Sequence, residues 1–198
     1  IQITQNGGPE VLVPAEVPDP QPRDGQLLVA VEYAGVNYID TYYREGTYHS
    51  QLPFIPGQEG CGRVIEDPAG EIAPGTLVAW ESAPGSYAEK VCVDRTRLVA
   101  VPQSIPHDVA ASMLLQGITA HYLLHGVRET HSGDTILLTA GAGGVGLLLT
   151  QMAVTAGATV FSVVSTDEKE ELAYAAGATE VFRYSEGLAE SVRRRCGG

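Results

Sequence analysis

Thr135-Ile136-Leu137-Leu138-Thr139-Ala140 runs directly into Gly141-Ala142-Gly143-Gly144-Val145-Gly146, and an apolar stretch through Leu147, Leu148, Met152 and Ala153 follows at once. The first run is too short for a helix and apolar on both faces, which predicts a central strand of a parallel sheet. A Gly-x-Gly-x-x-Gly turn between such a strand and a helix admits few folds, because each glycine answers a separate demand. One makes a tight turn, one lets the backbone approach a pyrophosphate, and one lets helix and strand pack closely. The helix start adds N–H groups and about half a positive charge for phosphates. A P-loop is excluded, since the Gly-Lys-Ser/Thr ending is missing.

The joints that follow repeat. Ala156-Gly157-Ala158-Thr159 leads into Val160–Val164, and Ala176-Gly177-Ala178-Thr179 leads into Glu180–Arg183. Each glycine falls where a helix ends in a left-handed residue. Ser165-Thr166-Asp167-Glu168 resembles a capping box for the helix between them. Strand, helix, strand, helix, strand is half of a doubly wound sheet. Upstream, Asp108 is expected to cap a helix through Ala110 and Met113–Leu115, running on to Leu124 beyond a break at Gly117. Before about Pro106 the chain changes character. Leu27–Val31, Gly62–Ile65, Leu77–Trp80 and Lys90–Val93 read as strands, separated by turns at Pro18-Asp19-Pro20, Pro68-Ala69-Gly70, Pro74-Gly75 and Pro84-Gly85. That spacing predicts a compact β domain.

Composition narrows the partners. Twelve Lys and Arg face 24 Asp and Glu, a formal net charge of -12, which repels phosphate backbones and anionic lipid. Neither nucleic acid nor a membrane is an expected partner. The apolar stretch from Ile136 to Met152 is interrupted by Gly and Thr and is no spanning helix. Cys61, Cys92 and Cys196 form neither a disulfide framework nor a zinc ribbon, so a reducing cytoplasm is the expected setting.

The choice of dinucleotide turns on the end of the second strand, where an NAD site carries an acid about 20 residues past the glycines. Here Val164 is followed by Ser165 and Thr166, which leave room for a 2′-phosphate, and Lys169 supplies charge. Asp167 pulls the other way, although an acid in a first helical turn is equally explained by the dipole. Lys169 has its own ordinary alternative, a pair with acids on its helix. NADPH is favoured.

Three stretches together resemble the quinone oxidoreductases of the medium-chain dehydrogenase/reductase superfamily, the NADPH:quinone reductase and zeta-crystallin branch. They are Gly35-Val36-Asn37-Tyr38-Ile39-Asp40-Thr41-Tyr42-Tyr43-Arg44-Glu45-Gly46-Thr47-Tyr48, Met113-Leu114-Leu115-Gln116-Gly117-Ile118-Thr119-Ala120-His121-Tyr122-Leu123, and the glycine turn. The resemblance implies an α/β protein, with a GroES-like β-rich catalytic domain (1–115) lacking its C-terminal part. The first half of a Rossmann cofactor domain (116–198) would follow, with the active site in the cleft between them. It implies that Asn37, Tyr42 and Thr119 line the cofactor beside Gly141, Gly143, Gly144, Val145 and Gly146. Ser165, Lys169 and Tyr184 would surround the 2′-phosphate, and Tyr48 would face the quinone with Asp40 and Arg44 nearby. Zinc dehydrogenases of the superfamily carry Cys and His-Glu where this chain has Asn37 and Gln58-Glu59, and amides are poor zinc ligands.

Without a Lewis acid, alcohol oxidation is disfavoured, whereas an electron-poor quinone or activated alkene needs less help. Tyr48 or Tyr42 would hydrogen-bond the oxygen that gains charge, or solvent would supply the proton; the ordinary alternative for each is packing. Arg44 either steers anionic ligands or pairs with Glu45 or Asp40. The expected activity is NADPH-dependent hydride transfer to a quinone without metal. The alternatives are an enone or enoyl reductase and a non-catalytic NADPH-binding protein or inactive fragment. His121 and His125, four apart, read as ordinary helix histidines, Cys61 as a buried small residue, and Arg193-Arg194-Arg195 as the complement of a helix C-terminus. Three strands are half of a dinucleotide sheet, so the chain is expected to be a fragment or ordered part of a longer, homodimeric enzyme.

Overall fold

The structure, a computed structural model, describes residues 1–196. It divides into two compact units, Ile1–Leu115 and Gln116–Gly198. The architecture is α/β, a β-rich GroES-like unit and a Rossmann-type parallel sheet.

In the first unit β1 (Gln26–Gly35), β2 (Glu59–Glu66), β3 (Leu77–Trp80), β4 (Lys90–Asp94) and β5 (Leu98–Ala100) form an antiparallel sheet in the order β4-β1-β2-β3-β5. The four strands read from the sequence are the first four of these. Their inward residues Leu27, Val29, Val64, Val78, Trp80, Val91 and Val93 make one core. Burial of each such side chain contributes roughly 1.5–3 kcal/mol. Trp80 is fully enclosed and gives its indole N–H to Ser86 Oγ at 2.9 Å, so the ring enters the core without stranding a donor. Asp67 ties the β2–β3 turn to the residue after β4. Its carboxylate accepts from the amides of Ala69, Glu71 and Ile72 and from the Arg95 guanidinium, which hold it far below the usual carboxylate range. Between β1 and β2 lies a short helix, α1 (Tyr38–Glu45).

α2 (His107–His121) crosses from the first unit's residues into the second's. It differs from expectation in two ways. Ala110 N–H already bonds Pro106 C=O, so Asp108 lies inside the first turn instead of capping it, and its side chain accepts from Val109 N–H. Gly117 does not break the helix; a cost of about 1 kcal/mol is outweighed by the flanking turns. The ladder then widens into a π-helical segment, Tyr122–Val127.

The second unit alternates β6 (Thr135–Thr139), α3 (Gly144–Thr155), β7 (Thr159–Val164), α4 (Asp167–Ala175), β8 (Glu180–Arg183) and α5 (Leu188–Cys196). The sheet is parallel, in the order β6-β7-β8. Gly157 and Gly177 have φ of 84° and 107°, the left-handed residues the repeated joint requires. The cap of α4 is Thr166, whose hydroxyl accepts from Lys169 N–H, one residue later than the expected box start at Ser165. β6 has the apolar run of a central strand but, as half of a dinucleotide sheet implies, it is the sheet edge among the described residues, and Leu137 is 45% exposed. β7 is the buried central one. Arg193, Arg194 and Arg195 do occupy the last turn of α5. Among the described residues no helix is long and apolar enough to cross a membrane.

Candidate functional site

The glycine turn has the geometry its sequence asks for. A Cβ on Gly141 would meet Ser162 Oγ at 2.5 Å, and one on Gly146 would meet the Ala140 carbonyl oxygen at 2.5 Å. Both positions therefore let α3 and the turn lie directly against the sheet. Gly143 caps α3 with no side-chain hydrogen bond, so the helix start is bare backbone. These features fit a pyrophosphate. Gln116 was not singled out by sequence reasoning, yet a Cβ on Gly144 would sit 1.9 Å from its Oε1. Its place in the Met113–Leu123 stretch was the only signal.

At the far end of β7, Lys169 Nζ donates to Ser165 Oγ at 3.4 Å, so two of the three expected phosphate residues converge. Among the described residues Lys169 makes no ion pair, while Asp167 and Glu170 of its helix pair with Arg183. Tyr184 follows Arg183, the register partner of Val164, at the same end of the sheet as Ser165. Its hydroxyl accepts from Ala140 N–H at 2.8 Å, at the entrance to the glycine turn. A phenol that accepts one bond still has its hydrogen to give. Thr119 belongs to α2 in the same unit. His121 and His125 hold their rings 4.6 Å apart; among the described residues no group of three or more His, Cys, Asp or Glu could hold a metal.

In the first unit the candidates separate into an exposed set and a buried set. Tyr38, Tyr42, Tyr48 and Tyr43 form a chain of edge-on and tilted rings with centroids 5.3–5.6 Å apart. Tyr48 is half-exposed and is fixed by its N–H, which bonds the Tyr42 carbonyl. Gly46, with φ of 82°, reverses the chain after α1 so that Tyr48 can return to the helix, and Asn6 Nδ2 caps the carbonyls of Tyr43 and Arg44.

Beneath these rings lies a polar network. Asp40 reaches back to Asn37 N–H at 2.9 Å and accepts from Tyr87 O–H at 2.8 Å. Asn37 Nδ2 donates to Glu59 Oε2 at 2.7 Å, while Glu59 Oε1 accepts from Leu115 N–H at 2.8 Å. Asn37, Asp40 and Glu59 are all buried. Burial pushes both carboxyls above their ordinary values despite these donors. Tyr87 is pushed up by burial and by its bond to Asp40. Asp40 also lines a small pocket of about 140 Å³ with Ser50, Gln51 and Gln58. Arg44 pairs with Glu45 and gives Nε–H to the Gly7 carbonyl; it makes no pair with Asp40. Cys61 is enclosed, and burial pushes its thiol up to about 11. Sequence reasoning missed Glu59 as a hub and Tyr87 altogether.

Residues 23–103 match the family described as alcohol dehydrogenase GroES-like domain, and residues 144–198 match zinc-binding dehydrogenase. A quinone oxidoreductase of Pseudomonas aeruginosa is 38% identical over 98% of this chain and 60% of its own length. The chain is similar along nearly its whole length to proteins named quinone oxidoreductases. A second relative of this chain is a 2-haloacrylate reductase of a Burkholderia species, 35% identical over 99% of the chain and 62% of its own length. Among solved structures, a mycobacterial protein complexed with NADPH aligns with a TM-score of 0.97 at 45% identity, covering 100% of this chain and 63% of that one. The chain thus spans about three fifths of the length of these relatives. One matching description names zinc, but the residues present do not fit it. Asn37 offers an amide already donated to Glu59, and Glu59 spends both oxygens on N–H donors.

Proposed function

We propose that this chain is the larger part of an NADPH-dependent oxidoreductase that reduces quinones without a metal, with 1–115 as catalytic domain and 116–198 as cofactor domain. The observation that carries the reading is the glycine turn whose close packing tolerates no side chain, together with the Ser165–Lys169 pair at the end of β7. The NADPH complex of the mycobacterial structure and the quinone oxidoreductase names of the relatives support it.

The bound dinucleotide would supply the hydride; the residues hold and orient. Amides of Gly144, Val145 and Gly146 at the start of α3 bind the pyrophosphate, the Gly143 N–H being taken by the Ala140 carbonyl, and Ser165 with Lys169 binds the 2′-phosphate. Tyr184 hydrogen-bonds Ala140 N–H and gives its own hydrogen to a phosphate oxygen. The ring chain of Tyr38, Tyr42, Tyr43 and Tyr48 supplies a flat aromatic surface suited to a planar acceptor. Tyr42 or Tyr48 places a hydroxyl hydrogen on the acceptor oxygen that gains charge. Asp40, Asn37 and Glu59 act by holding α1, and Arg44 by fixing its end.

The test is NADPH oxidation by the protein with 1,4-benzoquinone, with and without a chelator such as 1,10-phenanthroline. Quinone-dependent loss of NADPH absorbance, unchanged by the chelator, is expected. NADPH binding without turnover would leave a binding protein in place of an enzyme. A second reading, reduction of an activated alkene, is favoured by the 2-haloacrylate reductase relative; replacing the quinone with 2-chloroacrylate or cyclohexenone separates the two.

A further inference from the structure

The sequence of α4 poses a contradiction for an NADPH site. Asp167, Glu168, Glu170 and Glu171 surround a single Lys169, and a 2′-phosphate carries about −1.5 to −2 charges of its own. The acids belong to the helix that starts where the adenosine ribose sits in a fold of this class.

The resolution comes from the neighbouring strand. Register places Arg183 of β8 beside Val164, the last residue of β7. Its Nη2 donates to Asp167 Oδ1 at 2.6 Å and also to Glu170 Oε2. The Asp167 side chain is 99% exposed, so among the described residues this pair is what fixes it. Arg183 Nη1 is shielded from solvent and has no hydrogen-bond partner among the described residues. The guanidinium is therefore turned toward the acids and away from a ligand in solvent. With Arg183 engaged by Asp167 and Glu170, Lys169 remains with the Ser165 hydroxyl.

We infer that Arg183 is a specificity residue for the cofactor: by tethering and neutralising Asp167 and Glu170, it prevents α4 from repelling the 2′-phosphate and from accepting a ribose 2′-hydroxyl. This rests on the dinucleotide reading above and adds a residue that does not itself touch the nucleotide.

Calorimetric titration of the full chain with adenosine 2′,5′-bisphosphate and with 5′-AMP isolates the 2′-phosphate. R183Q is expected to weaken the bisphosphate about five- to tenfold, the effect of one uncompensated, partly exposed carboxylate near a dianion. Binding of 5′-AMP should stay within about twofold, which also reports that the variant is folded. The triple variant R183Q/D167N/E170Q has neither the cation nor the acids, and it should recover bisphosphate affinity. D167N alone should change little, because its carboxylate is already occupied. An R183Q protein with unaltered preference would overturn the inference, and so would a triple variant that stays weak, since that marks direct contact between Arg183 and phosphate. If R183Q unfolds, the triple variant decides alone. Wild-type protein that binds both nucleotides equally overturns the role of Arg183; wild-type protein that binds neither removes the dinucleotide reading beneath it.

Discussion

The two units fix their candidate residues with different physics. In the first, Asn37, Asp40 and Glu59 are out of water with Tyr87 half-buried beside them, and two carboxyls are held by neutral N–H and O–H donors with no cation in the network. In the second, backbone packing at Gly141 and Gly146 sets the turn, and a half-exposed arginine joins two surface acids. Buried acceptors are costly to lose because their donors have no water to turn to. Surface pairs are cheap and screened. The first arrangement gives rigidity under the tyrosines, whereas the second gives charge balance where a phosphate must be admitted.

The largest effect should come from Glu59→Leu, which removes the acceptor shared by Asn37 Nδ2 and Leu115 N–H and should cost about 3 kcal/mol. Trp80 is the only tryptophan and lies in the first unit's core, so its fluorescence in a urea titration reads this directly. A loss no larger than that of a surface substitution would dissolve the contrast. Gly146→Ala forces a methyl against the Ala140 carbonyl and should cost about 2 kcal/mol of second-unit stability. It should also weaken NADPH at least about tenfold, since the displaced helix start is the phosphate cradle; calorimetry measures the loss.

Acid sharpens the comparison further. Asp40 and Glu59 have folded values raised above their unfolded ones, so the native state binds protons more readily there. Their contribution is most favourable at low pH and declines as pH rises from about 4 through the raised values. The Trp80 urea midpoint should therefore rise as pH falls from 7 toward about 4, and Glu59→Gln should flatten that slope. Asp67 works in the opposite direction, stabilising at every pH above about 4 and failing only in stronger acid. The smallest effect is that of salt. Raising ionic strength from 0.1 to 1 M shortens screening from about 10 to 3 Å and should loosen the Arg183 pairs by about 0.5 kcal/mol or less. Hydrogen exchange of α4 amides should register it while the Trp80 transition stays put.

Local patterns carried most of the fold. β3 and β8 were read at their observed limits because turn residues bound them on both sides, and the Ala-Gly-Ala-Thr joints announced two left-handed glycines. The glycine turn and the Ser165–Lys169 pair were legible for the same reason, being set by a few adjacent residues. What could not be read depends on distance along the chain. Tyr87 meets Asp40 across 47 residues, and Glu59 meets Leu115 across 56. Arg183 meets Asp167 only because two strands pair in register. β6 looked central because its apolar run cannot state which strands flank it. α1 was more readable than it was read: Asn37 and Asp40 at cap spacing and Gly46 after the last turn mark both its ends.

Those two ends have a further consequence. α1 is pinned by Asp40 and Asn37 at one terminus and by Asn6 and Gly46 at the other, none of which belongs to the ring chain. The tyrosines are thus interchangeable fittings on a bracket bolted down elsewhere. Evolution, or an engineer, can retune which molecules settle against them one ring at a time, with no scaffold to rebuild afterwards.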